Sequence, residues 1–342
     1  MPKVVTFGEI MLRLSPPGFE RFLQTPQFVA TFGGGEANVA VSLAQFGVES
    51  WYVTRLPKHA IGEAAVKALR AEGVRTEAIV RGGDRIGVYY AEAGASQRAS
   101  TVIYDRARSA ISEMEPTAVD WTAVMAGSAW LHVTGITPAL GDRAAAATRL
   151  AIDAARAAGA RVSIDLNYRK KLWTEKQAQA MMRPLSTDVD VIIANEEDLQ
   201  SVLGVEVPGA DVTSGQLNLD GYRAAAERVT RELGVGQVAI TLRESYSASD
   251  NGWSAVLWDA KSGQLHRSQR YDVRLVDRIG GGDSFAGGLI YGLVTGRDLD
   301  ASLKFAVAAS ALKQSIPHDF NRVTAEEVDK LVAGDGSGRV QR

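Results

Sequence analysis

Three consecutive glycines followed by an aspartate stand late in the sequence, at Gly280, Gly281, Gly282 and Asp283. An apolar, helix-like run follows, so a helix is predicted to begin near the third glycine. Because glycine lets the backbone approach a ligand and helix N-termini attract anions, these amides could hold a transferring phosphoryl group. Asp283 could then take a hydroxyl proton as a weak base, its pKa lowered by the helix N-terminus. A glycine-rich loop that only caps a helix explains the same residues equally well.

A second glycine cluster, Gly33-Gly34-Gly35, stands near the other end of the chain. A strand is predicted before it, and a helix is predicted from Glu36 to Phe46. The N–H of Gly34 and the side chain of Asn38 could bind sugar hydroxyl groups. A strand-to-helix turn with an asparagine near the helix cap is an equally good local explanation.

Composition excludes several classes of protein. The 342 residues carry a formal net charge of -2 and include no cysteine, which argues against a nucleic-acid partner and excludes disulfides and thiol catalysis. Neither a signal peptide nor an apolar run of transmembrane length is found, so we expect a soluble cytoplasmic protein with no membrane partner. The histidines are scattered, and no P-loop or dinucleotide-binding motif is complete, which disfavours a zinc site, a P-loop kinase and a dehydrogenase.

Strand-like and helix-like segments alternate along the chain, most clearly from Trp130 onward. The alternation predicts an α/β fold with a mostly parallel central sheet and helices on both faces. Short β-branched and aromatic segments within about residues 11–32 and 86–106 predict a small separate β-sheet, a candidate lid. We expect one domain over residues 1–333 and a flexible tail over residues 334–342.

The two glycine clusters together are more specific than either alone. Residues 33–47 resemble the first signature of the PfkB (ribokinase-like) carbohydrate kinases, and residues 277–288 resemble the second. The resemblance covers nearly the whole chain. It implies a ribokinase-like three-layer sandwich that uses ATP and Mg²⁺. It also implies that Asp283 is the catalytic base and that the amides of Gly280, Gly281 and Gly282 stabilise the phosphoryl charge.

Two further stretches bear on the metal ions. Asn195-Glu196-Glu197-Asp198 resembles the family's region beside Mg²⁺-nucleotide, with aspartate where the family has a final glutamate. The resemblance implies that Glu197 contacts the metal through water. In the second signature, Arg278 and Ile279 replace two threonines, which leaves open whether the chain keeps the monovalent-cation site of some relatives.

Within the family, the details resemble the 2-keto-3-deoxygluconate kinases. Residues 8–16 look like their opening, and Tyr104, Arg106 and Arg169 match positions around an acid sugar. A guanidinium group suits a sugar carboxylate, whereas a neutral sugar has no need of one. The plain alternative is that the two arginines are surface or ion-pairing residues.

The expected reaction is therefore ATP-dependent phosphorylation of the terminal hydroxyl of 2-keto-3-deoxygluconate, with the lid closing over the sugar to exclude water. The residues implied to bind substrate are Gly34, Asn38, Tyr89, Tyr90, Tyr104, Arg106, Arg169 and Asp319. The residues implied to bind nucleotide are Asn167, Asn195, Thr241, Arg243, Ser245, Gly280 and Gly282.

The residues leave two other functions open. One is a kinase of the same family for a neutral sugar such as fructose or ribose. The other is a sugar-binding regulator without turnover, which Asp283 disfavours because a binder needs no base. Since exposed lid strands offer unpaired sheet edges, we also expect a homo-oligomer that assembles through the lid.

Overall fold

The computed structural model describes residues 1–187, 189–209 and 218–336. Of the tail that the sequence predicts to be flexible, residues 337–342 lie outside the described residues. A nine-stranded sheet with helices on both faces forms the body of the molecule, and a separate four-stranded sheet accompanies it.

The central sheet is mostly parallel. Its strands are β1 (Lys3–Phe7), β4 (Glu49–Val53), β9 (Ser128–Thr134), β10 (Arg161–Asp165), β11 (Val191–Ala194), β12 (Gln237–Ser245), β13 (Asp250–Asp259), β14 (Gln264–Arg267) and β15 (Tyr271–Arg274). Six strands run parallel in the order β4-β1-β9-β10-β11-β12, and β13 joins β12 in antiparallel fashion. Strands β1, β10 and β11 are almost continuously buried, as expected for a parallel sheet covered on both faces.

Helices cover the sheet on both sides. Along β11, Ile193 packs into the apolar cluster on one face and Ile192 into the cluster on the other. The first face carries α1 (Gly35–Gln45), α8 (Gly281–Val294) and α9 (Leu299–Lys313). The second carries α3 (Trp121–Met125), α4 (Asp142–Ala157), α5 (Glu175–Leu185), α6 (Glu196–Leu203) and α7 (Leu219–Leu233). This arrangement confirms the predicted three-layer α/β sandwich.

The smaller sheet lies in the two stretches where the sequence predicts extra strands. It consists of β2 (Met11–Ser15), β3 (Val29–Gly33), β7 (Gly87–Glu92) and β8 (Thr101–Asp105), in the order β3-β2-β7-β8. Strands β7 and β8 form the predicted hairpin, whereas β2 and β7 pair in parallel. The remaining elements are α2 (Ala60–Ala71), α10 (Ala325–Val332) and a parallel pair of short strands, β5 (Arg55–Leu56) and β6 (Val80–Arg81).

Within the described ranges, no helix has both the length and the apolar character needed to cross a lipid bilayer. The sequence did not predict α3, the β5–β6 pair or β15. Strand β14 ends at Arg267, and the next residue, Ser268, is buried, where its hydroxyl accepts a hydrogen bond from the amide of Ala255 at 3.0 Å. The chain then resumes pairing with β13 as β15.

Candidate active site

A cavity of about 260 Å³ lies where the parallel strands end. Asp165 and Ala194, the last residues of β10 and β11, line it together with Thr241 of β12. The smaller sheet contributes Tyr89 and Tyr104. In open α/β sheets, ligands bind at the carboxyl ends of the strands. This cavity is therefore the candidate active site.

Helix α8 brings the predicted base to the cavity. Gly280 precedes the helix with a φ of 83°, and a Cβ there would lie 2.2 Å from the carbonyl oxygen of Asp319. Both facts require glycine at this position. Within the helix, the amide of Ser284 is the first to donate to a carbonyl four residues earlier, that of Gly280, at 2.9 Å. The amides of Gly282 and Asp283 lie in the first turn, before this first helical hydrogen bond. They can therefore donate to an anion in the cavity.

The predicted group of three glycine amides needs one correction. Gly280 and Gly282 line the cavity, whereas Gly281 is buried and its amide approaches the carbonyl oxygen of Arg278 at 3.4 Å. Gly281 packs instead against Gln314, 3.1 Å from where a Cβ would stand. The amide of Gly281 is therefore not positioned to stabilise a phosphoryl group.

Burial sets the charge state of Asp283. Desolvation is the main cause that raises the pKa of this carboxyl to about 6, while the hydrogen bond from Asn38 and the charge of Arg169 oppose the rise. The predicted lowering by the helix N-terminus is wrong, because desolvation outweighs it. A carboxylate with a pKa near neutrality accepts a proton more readily than an ordinary aspartate does.

Helix α1 brings Asn38 against this base. The Nδ2 of Asn38 donates to Oδ2 of Asp283 at 2.6 Å, and its Oδ1 accepts from the amide of Gly34 at 3.3 Å. A Cβ at Gly34 would lie 2.0 Å from the carbonyl oxygen of Glu9, so this close approach requires glycine. Asn38 and Gly34 line the cavity as predicted, but the side chain of Asn38 is already bonded to the base.

Three arginines line the cavity without a salt bridge in the described part of the chain: Arg169, Arg243 and Arg278. The guanidinium of Arg243 lies 5.7 Å from the ring centre of Trp253, and Nε of Arg278 is buried without a hydrogen-bond partner. Desolvation by the surrounding protein is the main cause that lowers the pKa of Arg243, and the charge of Arg278 lowers it further. The side chain of Arg243 is nevertheless exposed to the cavity. Neighbouring guanidinium groups without a direct ion pair favour a polyanion.

Arg278 was not predicted as a site residue. Its only sequence signal is that it replaces a threonine of the family pattern.

Arg106 reaches the cavity as half of a buried ion pair. Its Nε donates to Glu9 Oε2 at 2.8 Å, its Nη2 contacts the same oxygen, and the hydroxyl of Ser109 donates to Oε1 at 2.5 Å. The ring of Tyr104 lies 5.4 Å from the guanidinium group. The charge of Arg106 is thus compensated by a direct ion pair with Glu9. Arg169 forms no salt bridge within the described residues, and its charge acts on Asp165, Asp198 and Asp283 by lowering their pKa values.

Asp319 connects the smaller sheet to the glycine loop. It is almost fully buried and accepts from Nη1 of Arg13 at 2.8 Å and from the hydroxyl of Tyr89 at 2.6 Å. The Nη2 of Arg13 donates to Asp277 at 2.6 Å. Tyr89 and Asp319 both line the cavity as predicted, but each is bonded to the other.

Besides Gly281, three predicted site residues do not line this cavity. Tyr90 follows Tyr89 on β7, points to the opposite face, and packs edge-on against Phe28 with ring centres 6.1 Å apart. Ser245 is exposed at the end of β12, beyond Arg243. Glu197 is exposed and lines a neighbouring groove.

Buried carboxylates complete the cavity. Asp198, the fourth residue of the predicted metal region, accepts from the amides of Tyr168 at 2.8 Å and Asn195 at 3.1 Å, and burial raises its pKa. Asp165, which the sequence did not indicate, is also buried, and burial followed by Asp198 raises its pKa. The predicted residues Asn167 and Asn195 line the same wall.

The donors in this wall fit a nucleotide-borne Mg²⁺. Within the described residues, no three acidic or histidine side chains form a metal cluster. Mg²⁺ commonly keeps several waters and binds through one or two carboxylates and substrate phosphates. Asp165 and Asp198 therefore suit a metal that arrives with its nucleotide and is contacted largely through water.

The chain belongs to the pfkB family of carbohydrate kinases, whose sequence model matches residues 1–315. The crystal structure of 2-dehydro-3-deoxygluconokinase from Thermotoga maritima is 50% identical, with a TM-score of 0.94 over 98% of this chain and 100% of that chain. The 2-dehydro-3-deoxygalactonokinase of Haloferax volcanii is 32% identical over 98% of each chain. The 2-dehydro-3-deoxygluconokinase of Thermoproteus tenax is 30% identical over 93% of this chain and 90% of its own length. The predicted family and ribokinase-like fold are confirmed.

Proposed function

We propose that the protein is a cytoplasmic kinase that transfers the γ-phosphoryl group of ATP to the terminal hydroxyl of 2-keto-3-deoxygluconate, also called 2-dehydro-3-deoxygluconate. The observation that carries the proposal is that Asp283 and the guanidinium of Arg169, which forms no salt bridge within the described residues, line one cavity. A sugar acid has a hydroxyl at one end and a carboxylate at the other. The base and the cation of the cavity match these two ends.

Asp283 receives the proton of the terminal hydroxyl as the hydroxyl oxygen forms its new bond to phosphorus. The bond between that phosphorus and the bridging oxygen of ADP breaks in the same step. Asn38 holds the carboxylate through its 2.6 Å hydrogen bond. The amides of Gly280, Gly282 and Asp283 stabilise the phosphoryl oxygens, and one such donor is typically worth roughly 3 kcal/mol in the transition state.

Arg243, Arg278, Thr241 and Asn195 line the part of the cavity that we assign to the nucleotide. The two guanidinium groups bind the phosphates, since they have no salt bridge within the described residues. Asp165 and Asp198 would hold Mg²⁺ largely through its waters, and the bound metal would neutralise phosphate charge. Asn167, predicted for the nucleotide, lies between the two substrates on the same wall.

We further propose that the smaller sheet acts as a lid and as a dimer contact. Tyr89 and Tyr104 line the cavity from this sheet and exclude water from the transferring group. Its outer strands are β3 and β8, and Val29 and Ile103 on them are exposed at 39% and 50%. Sheet edges with exposed apolar side chains favour pairing with a second copy, which light scattering of the purified protein will report as a dimer.

The similarity to a kinase named for the galactonate epimer supports a second acceptor. The two sugar acids differ in the configuration of one hydroxyl, and the Asp283 and Arg169 contacts do not depend on it. We assign the gluconate epimer as the better substrate because the more similar Thermotoga maritima enzyme carries that name.

The experiment that tests the proposal is product mapping. The protein is incubated with Mg²⁺-ATP and each sugar acid, ADP release is followed, and the product is analysed by phosphorus–proton correlation NMR. We expect phosphate on the terminal carbon of the sugar acid. ADP release with ribose or fructose but not with either acid would instead support a neutral-sugar kinase. Tight binding of the acid without ADP release would support a regulator.

A further inference from the structure

Lys313, the last residue of α9, is fully buried beside the glycine loop. Its ammonium donates to three main-chain carbonyl oxygens, those of Asp277 at 3.5 Å, His318 at 2.6 Å and Ile279. An ammonium group has three N–H donors and no acceptor, so these bonds use its whole capacity. Burial lowers the pKa of Lys313, while the charges of Asp277 and Asp319 oppose that change.

Main-chain carbonyl oxygens that converge within a protein can replace the hydration shell of K⁺. Here the ammonium of Lys313 stands where the three carbonyls converge. Two of these carbonyls belong to Asp277 and Ile279, in the stretch where the sequence departs from the family pattern. A monovalent cation does not fit this place, because the protein's own side chain already supplies the charge.

We propose that Lys313 is a positioning residue that replaces a monovalent cation beneath the anion loop, residues 277–282, so that the kinase works without K⁺ or Na⁺. The carbonyl cage is built by contacts that do not involve the lysine. The carboxylate of Asp277 accepts from the amides of Ile279 at 3.0 Å and His318 at 3.1 Å. The hydroxyl of Ser310 donates to the Gly281 carbonyl at 2.7 Å.

The geometry of the peptide bond explains how the lysine acts on the site. In a planar trans peptide, the C=O points opposite to the N–H. Anchoring the Ile279 carbonyl on Lys313 therefore directs the Gly280 N–H away from the lysine, and Gly280 lines the cavity. The charge of Lys313 also lowers the pKa of Asp283, against the larger effect of burial.

The first test uses the wild-type protein and needs no variant. Initial rates are measured at constant ionic strength with K⁺, Na⁺, NH₄⁺ or tetramethylammonium as the monovalent cation. We expect the rates to agree within about twofold, because the cage is already filled. A several-fold stimulation by K⁺ would overturn the proposal.

The second test compares Lys313→Ala with Lys304→Ala. Lys304 lies on the outer surface of the same helix, in an ion pair with Asp300 at 2.5 Å. In tetramethylammonium we expect Lys313→Ala to lose roughly a hundredfold in kcat, a loss typical of a displaced anion-hole donor. Propylammonium, NH₄⁺ or K⁺ should restore part of it in a saturable way, and Lys304→Ala should match the wild type in every salt. Full activity of Lys313→Ala without added cations, or no response to any of them, would contradict the proposal.

The activity measurements rest on the proposed function, so a second readout is independent of it. The melting temperature of Lys313→Ala should rise when K⁺, NH₄⁺ or propylammonium replaces tetramethylammonium, while that of the wild type stays unchanged. If the wild type turns over neither sugar acid, the proposed function fails and the lysine inference is judged on melting alone. If Lys313→Ala does not fold, the wild-type rates in the different salts still test whether the kinase works without K⁺ or Na⁺.

Discussion

Asn38 donates a hydrogen bond to Asp283 across 245 residues of sequence, at 2.6 Å. This single contact joins the two glycine clusters, because Asn38 follows the first and Asp283 ends the second. In the proposed mechanism, the asparagine therefore orients the base, because its amide is bonded to Asp283. The pKa of Asp283, raised to about 6 by burial, would be higher without it.

Asn38→Ala should move the pH dependence of the reaction. In the free enzyme, kcat/KM falls on the acid side as the base is protonated. We expect the wild-type midpoint near pH 6, the value to which burial raises the pKa of Asp283. Losing the hydrogen bond removes a cause that lowers this pKa, so the midpoint should move to higher pH. Gln45→Ala, at the far end of the same helix, is the control. An identical shift of its midpoint would contradict the role of the Asn38–Asp283 hydrogen bond.

Asp283→Asn should lower kcat by about a thousandfold or more while leaving the affinity for the sugar acid nearly unchanged. It should also stabilise the protein. A carboxyl whose pKa is higher in the folded than in the unfolded state binds its proton more tightly when folded. The stability that this proton contributes is therefore lost as the pH rises through about 6. Neutral asparagine avoids that loss.

Urea unfolding should therefore show Asp283→Asn to be more stable than the wild type by about 3 kcal/mol at pH 8. The difference should vanish near pH 4. The charge of Asp283 also raises the pKa of the buried Asp165, so the substitution lowers that pKa and changes the difference in the same direction. A variant that is less stable than the wild type at pH 8 would show that burial does not strain this carboxylate.

Arg278→Thr restores the residue of the family pattern and should weaken nucleotide binding. Since its guanidinium has no salt bridge in the described ranges, we expect the KM for ATP to rise about tenfold through the loss of a charge-assisted contact. The KM for the sugar acid should stay within about twofold. Arg274→Thr, an exposed arginine nearby on β15, serves as the control. A rise in the sugar KM alone would place Arg278 at the other substrate.

Arg106 and Arg169 should behave differently although both were predicted to bind the sugar acid. Arg106→Ala leaves Glu9 buried without its partner, so we expect a loss of about 3 kcal/mol in the free energy of unfolding. Arg169→Gln should unfold like the wild type but raise the KM for the sugar acid roughly tenfold to a hundredfold. Arg143→Ala, which breaks an exposed pair with Glu115, should cost less than about 1 kcal/mol. Equal destabilisation by all three substitutions would refute the assignment.

Local patterns in the sequence were sufficient to predict most of the fold. Helix α1 is predicted from Glu36 to Phe46 and observed over Gly35–Gln45, because its apolar period and the glycine that follows it, Gly47, are both local signals. Helix α3 has five residues, too few to show a helical period, and β15 is separated from β14 by a buried serine. Such elements depend on tertiary pairing that no local pattern records.

The site was only partly predictable for a related reason. The glycine clusters require particular backbone geometry, so they are visible in the sequence. The pairing of Arg106 with Glu9, the burial of Asp283 and the place of Lys313 arise from residues far apart in the chain. Tyr90 was misplaced because alternation along β7 allows only one of two adjacent tyrosines to face the cavity.

The most direct test of the central claim is the ratio of kcat/KM for 2-keto-3-deoxygluconate to that for fructose, measured by ADP release with the same enzyme preparation. A cavity that pairs a base with a guanidinium lacking a salt bridge within the described residues should favour the acid by about a thousandfold or more, since a neutral sugar offers that cation no carboxylate. Equal or higher kcat/KM for fructose would contradict the account.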